Sequence, residues 1–252
     1  MSATTTAAPQ APQSIGAFGR IIGAIANPRP TFEDITRKPS WFVPLLVLII
    51  VQCAITVIFS QRVGWRAFME KQIAQSPSAQ RRLEQLSPEQ RQQIIDRQAQ
   101  FAPIFGYVGV IIGVPLVAVI IAAIFMGIFN GISGAGLDFK TSFGIISHSY
   151  MPGLIVALLG ILILYIKPPD QIDLQNLVAS NVGAVLSSDS PRWLQSLGTS
   201  IDIFSFWIIG LMALGYSVAR PKKITMSTGL AWIIGLWVVY VLVKVGATAM
   251  FS

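Results

Sequence analysis

The sequence predicts an all-α fold: a polytopic membrane helix bundle with five transmembrane helices and short interfacial helices. Three observations carry that expectation. Of 252 residues, 53% are hydrophobic and 12% charged, about half the charged share of a soluble domain. Mean hydropathy is +0.65. The apolar residues gather into five blocks, each close to the ~20 residues that a helix rising ~1.5 Å per residue needs to cross ~30 Å of hydrocarbon. The stretches between blocks are too short and too polar for a separate soluble core, so one membrane domain over residues 14–252 is expected.

Residues 1–13, rich in Ala, Thr, Pro and Gln, have no periodic apolar face and are expected to be disordered. Over 14–27, with Ser14 as cap, Phe18, Ile21, Ile22 and Ile25 share one face of a short helix and Arg20 lies outside it. Such a helix either packs on the bundle or lies in the headgroup layer, and both readings stand. Pro28 and Pro30 end it, and a short turn over 31–36 follows, with Thr31 as its cap.

The first span covers about 41–60 and opens on Trp41 at the interface, acting as an uncleaved signal anchor. The second covers about 105–131. Its pairs Gly109 and Gly113, and Gly127 and Gly131, have the spacing that allows close helix approach. The third, about 143–166, should kink at Pro152, which lacks a backbone donor. The fourth and fifth cover about 201–218 and 229–251.

The connections differ in character. Residues 61–104 form a long polar stretch in which Ser87, Pro88 and Gln90 read as cap, first turn and capping-box partner. The Gly-rich run 131–136 reads as a turn. In the loop 167–200, Leu174, Leu177, Val178 and Val182 suggest a short interfacial helix. Lys and Arg favour a cytoplasmic N-terminus and an outside C-terminus, because the two tight loops on the N-terminal side hold Lys140, Arg220, Lys222 and Lys223 against Asp138 alone. The long first loop mixes its seven basic residues with Glu70, Glu84, Glu89 and Asp96. The net charge of +7 is accounted for by such positions; no basic motif interleaved with aromatics appears, so no nucleic-acid partner is expected.

Catalytic, cofactor-binding and metal residues are all expected to be none. One His and one Cys, Cys53, cannot supply HExxH or a zinc-binding Cys pair, and GxSxG and GxxxxGK[ST] are absent. Ionisable groups inside spans are the remaining candidates, because each is costly there. These are His148, Asp202 and Lys244, with Pro152 beside them in span three. A relay between His148 and Asp202 is disfavoured, since antiparallel spans place them roughly 20 Å or more apart. Asp202 and Lys244 share one end. They either pair, or Asp202 caps span four while Lys244 snorkels to the interface.

Four stretches resemble the Yip domain (Ypt-interacting protein) membrane proteins, particularly their bacterial branch. They are Asn27-Pro28-Arg29-Pro30-Thr31-Phe32-Glu33 with Pro39-Ser40-Trp41 and Pro44; Phe139-Lys140 with Ser149-Tyr150-Met151-Pro152; Ile201-Asp202-Ile203-Phe204-Ser205-Phe206-Trp207 with Leu211 and Gly215; and the short basic loop with the closing span. The resemblance implies five spans and a cytoplasmic N-terminal region. Eukaryotic members bind prenylated Rab GTPases in vesicle traffic, but the N-terminal segment here is only about forty residues and the first outer loop is long, so that role is not carried over whole. The resulting expectation is a non-enzymatic scaffold or adaptor of the cell (inner/plasma) membrane. Its partners are the lipid bilayer and another membrane or cytoplasmic protein, with homo- or hetero-oligomers left open. A permease or transporter subunit is the alternative.

Overall fold

The structure is a computed structural model that describes residues 14–74, 76–173, 176–187 and 190–250. The tail 1–13, Leu174 and Phe251, all named above, lie outside the described residues.

Two short helices come first. α1 (Ala17–Ala26) starts after Gly16, two residues later than a Ser14 cap would place it, and α2 (Pro28–Arg37) follows at once. The expected turn at 31–36 is therefore a ten-residue helix, and Thr31 is not its cap: its hydroxyl donates back to Asn27 O at 2.8 Å from inside the first turn. The prolines that stop α1 also start α2, because the first N–H groups of a helix have no helical partner to lose.

α3 (Phe42–Arg62) is the first apolar block. Beyond it lie α4 (Trp65–Ala74), α5 (Pro77–Glu84) and α6 (Pro88–Val108). α6 opens on the expected capping box: Gln90 N–H donates to Ser87 Oγ at 3.3 Å, and Ser87 N–H to Gln90 Oε1 at 3.0 Å. It then runs without a break through a π-helical turn, Gly109–Gly113, into α7 (Val114–Ser133), so that the second block is the inner half of one 46-residue helix. Pro115, in the first turn of α7, cannot donate to an upstream carbonyl, which loosens the ladder where the wider turn sits.

The turn after α7 uses Gly134 and Gly136 at φ +55° and +63°, values that a side chain would strain. The Asn130 side chain closes it by bonding both backbone groups of Leu137. The third block is α8 (Phe139–Ser149) and α9 (Pro152–Ile166), broken at Tyr150 and Met151 as Pro152 requires. The carbonyl of His148, which proline leaves without its usual donor, accepts Met151 N–H at 3.2 Å.

The helix expected near 174–182 lies elsewhere. No α-helix forms there among the described residues: Val182 opens only a 3-10 turn, Val182–Val185, and the α-helix of the connection among the described residues is α10 (Arg192–Ser200). Leu177 instead packs over Gly160 of α9, so its apolar side chain is used for burial without a helix. α11 (Ile203–Ala219) and α12 (Met226–Met250) complete the chain.

Among the described residues four helices are long and apolar enough to cross a membrane: Phe42–Arg62, Pro88–Ser133, Phe139–Ile166 and Met226–Met250. α11 is apolar but has 17 residues. With a third of its apolar window buried, 33% against 11–17% in the others, the α8–α9 span runs through the middle. Phe32 and Ile35 of α2 join Phe125, Phe129, Ile145 and Tyr216 in the main core, so α2 is a wedge between α8 and α11. Gly215 makes room for it: a Cβ there would sit 2.5 Å from Ile145 Cγ2 and 2.9 Å from Phe32 Cδ1. The close approach expected at Gly109, Gly113, Gly127 and Gly131 is not found; a Cβ at any of them would meet nothing within 4 Å. Those glycines face away from neighbouring helices, and spacing along one helix cannot say which face meets a partner.

Candidate functional site

The bundle has two ends of different character. The wedge end holds α1, α2, the start of α3 and the α7–α8 and α11–α12 loops. The far end holds α4, α5, the polar half of α6, and α10.

At the wedge end the sequence places one charge, Arg20, in an otherwise apolar helix, AFGRIIGAIA. The apolar-face expectation put Arg20 outside the buried side, and that is corrected. Arg20 is 4% exposed and Asp34 3%, while Phe18 and Ile22 are 72% and 67% exposed. The buried side of α1 is Arg20, Ile21 and Ala24, with Ile25 partly covered. It turns this way because α2 supplies a counterion. Arg20 Nε and Nη2 each lie 2.8 Å from Asp34 Oδ2. Ile15 N–H donates to the same oxygen at 3.1 Å, and Arg37 reaches Asp34 Oδ1 at 3.6 Å. Arg20 Nη1 donates to Lys38 O at 2.8 Å and to Ser40 Oγ at 2.7 Å. One guanidinium thus ties α1, α2 and the linker into α3. A buried charge is tolerated when it is paired and its remaining donors are used, and this one meets both conditions.

Close packing completes the unit. A Cβ at Gly23 would collide with Thr31, and one at Gly144 would sit 3.1 Å from Ser40 O. Ile21 and Ala24 pack with Met151, next to Pro152, so the break in the central span receives α1. His148 lies one turn earlier and is fully buried. Its Nδ1 is 2.8 Å from Gly144 O, which can only accept, so Nδ1 carries the proton and Nε2 is an acceptor. Nε2 has no partner among the described residues. Ser147 and Ser149 donate to Phe143 O and Ile145 O of their own helix, at 2.7 and 2.8 Å. Ser142 donates to Ala122 O at 2.7 Å, so at 2.6 Å from Tyr216 the tyrosine hydroxyl must be the donor to Ser142.

The loops at this end are pinned by charge. Arg220 donates to Ala135 O and Gly136 O, both at 2.9 Å. Asp138 caps α8, accepting Thr141 N–H at 2.9 Å and the Thr141 hydroxyl at 2.7 Å. Partial burial pushes its carboxyl up, but the Thr141 hydroxyl and backbone N–H, with help from Arg220, outweigh that and hold it below the ordinary aspartate range.

Asp202 and Lys244 meet the far end and are not an ion pair. Asp202 caps α11, accepting Ser205 N–H at 2.9 Å and bonding the Ser180 hydroxyl. Lys244 donates to Ser200 Oγ at 3.0 Å and approaches Thr199 Oγ1 and Ser196 O at 3.4 Å, all on α10. Once α10 lies beside α12, its hydroxyls reach Lys244 before the carboxylate does.

The structure therefore gathers α1, His148 and Pro152 at the wedge end and leaves Asp202 and Lys244 at the other. Asp34 and Ser40 are not among the candidate site residues that the sequence suggests. The signal was present: Arg20 interrupts an apolar helix, and Asp34 sits between the apolar Phe32 and Ile35. Among the described residues no group of three or more His, Cys, Asp or Glu could hold a metal ion.

The Yip1 domain family matches residues 22–247, from the middle of α1 to near the end of α12. No curated protein and no solved structure matches the chain.

Proposed function

The chain belongs to the Yip1 domain family and is a multi-pass membrane protein in contact with lipid; from that premise we propose that it is a non-enzymatic scaffold or adaptor of the family's bacterial branch. In this reading it lies in the cell (inner/plasma) membrane and recruits another membrane or cytoplasmic protein, or organises the bilayer, through its wedge end. The observation that carries the proposal is the α1–α2 unit itself. It is seated rigidly by the Arg20–Asp34 pair, yet it turns Phe18 and Ile22, one helical turn apart, away from the protein. An apolar pair held outward on a fixed helix suits docking, whether to a protein or to the headgroup layer.

The finer topology belongs to the same proposal. α11 is counted as a fifth span because 17 residues rise about 26 Å, within the range of short spans. The wedge end faces the cytoplasm because it carries Arg20, Arg29, Arg37, Lys38, Lys140, Arg220, Lys222 and Lys223 against Glu33, Asp34 and Asp138. The permease alternative draws no support from Ser147 and Ser149 of α8, whose hydroxyls are spent on carbonyls of their own helix.

The test compares wild type with Phe18→Ser/Ile22→Ser, cross-linked in native membranes and read by mass spectrometry. A protein cross-linked to α1 or α2 in wild type and depleted in the variant supports the proposal. No reproducible partner, together with solute flux through the purified chain in liposomes, rejects it in favour of a permease.

A further inference from the structure

At the far end α4 leans on α6, and a Cβ at Gly106 would sit 3.0 Å from Trp65 Cη2, so glycine lets the two helices close at that point. Beside that contact, and lined in part by Trp65 and Gly106 themselves, lies an open groove of about 750 Å³. Trp65 and Met69 wall it from α4; Arg97, Phe101 and Phe105, spaced four apart and so on one face, line it from α6, with Gln98 beside Arg97.

The polarity of this groove runs one way. A guanidinium and an amide stand at one end and aromatic rings at the other, over eight residues, or about 12 Å of helix. The direction is that of the membrane. α6 continues as the apolar α7, so Phe105 is nearer the hydrocarbon and Arg97 nearer water. The charge at the polar end is also available. Arg66 engages Glu70 at 3.0 Å and also Asp96, whereas Arg97 has no carboxylate partner among the described residues. Phe105 is largely exposed, so the apolar end opens sideways onto the lipid-facing surface of the span.

The geometry points to a bound anionic phospholipid, its phosphate at Arg97 and Gln98 and an acyl chain laid along Phe101 and Phe105. Charge complementarity selects an anionic headgroup, a guanidinium being suited to phosphate. Continuity with the lipid-exposed face of α7 selects a lipid drawn from the bilayer. The site lies on the opposite side of the membrane from the α1–α2 unit and does not depend on it.

Native mass spectrometry of the full chain, from micelles holding equal phosphatidylglycerol and phosphatidylcholine, tests this. Wild type should retain phosphatidylglycerol preferentially. Arg97→Gln should cut that retention about fivefold, the factor for one basic residue facing an anionic lipid surface, and leave phosphatidylcholine unchanged. Ala102→Leu, which fills the groove, should reduce both. Arg81→Gln, at an exposed arginine of the same polar region, should change nothing. Unchanged retention in Arg97→Gln, an equal loss in Arg81→Gln, or a preference for phosphatidylcholine overturns the proposal. Arg97 and Arg81 are both exposed, so that comparison decides the matter even if Ala102→Leu does not fold.

Discussion

Asp34→Ala should release the N-terminal helices from the bundle. The substitution takes from Arg20 a carboxylate oxygen 2.8 Å from two of its nitrogens, and from Ile15 N–H its acceptor. Arg20 would keep Lys38 O, Ser40 Oγ and, at 3.5 Å, the backbone carbonyl of residue 34, all neutral acceptors, and so would stay a buried cation with no counterion. Removing one partner of a buried pair costs about 3–5 kcal/mol. At ~1.4 kcal/mol per tenfold, local opening of α1–α2 should rise by roughly two to four orders of magnitude. Hydrogen exchange of the full chain in detergent, followed by mass spectrometry of peptides covering 17–37, reads that opening directly. Arg20→Met/Asp34→Leu is the control, since replacing both charges by apolar groups of similar size is often neutral or stabilising. Protection in Asp34→Ala equal to wild type, or protection in the double variant as low as in the single one, would refute the view that the ion pair holds the wedge in place.

Two further outcomes follow from the same geometry. Gly215→Ala should cost about 1–3 kcal/mol of stability through overpacking against Ile145 and Phe32, whereas Gly127→Ala, which meets nothing within 4 Å, should be neutral or gain up to about 1 kcal/mol; thermal unfolding midpoints in one detergent check both. For Asp138 the folded-state value is depressed, so its contribution is complete above the ordinary aspartate value of 3.8 and is lost as pH falls through the lower folded one. Asp138→Asn should flatten that acid limb, which unfolding curves recorded at successive acid pH values would show.

Much of the fold was legible because a bilayer leaves a helix few alternatives. The four long apolar helices among the described residues, the Ser87–Gln90 capping box and the break at Pro152 each depend on a short stretch of chain and appear where their residues place them; of the Gly-rich run 131–136 only the part after Ser133 is a turn, because α7 takes up the first half. The failures share a cause. Thr31 lies inside α2 instead of capping it because a proline that ends one helix also begins the next, and Gly109 and Gly113 meet no helix because spacing along a helix does not reveal its facing partner.

The candidate site was half legible. Phe18, Ile22 and Ile25 could be recognised as apolar residues at helical spacing, but which of them would face out depended on Arg20 turning in. Hydrocarbon requires each span to satisfy its own backbone, so the membrane character and the placement of the apolar blocks were determined by the sequence by itself. The burial of Arg20, the seating of α2 against Gly215 and the separation of Asp202 from Lys244 were decided only by the tertiary structure. Each of these is settled by a partner on another helix, and the energy of a buried charge or a close approach depends on which partner is there.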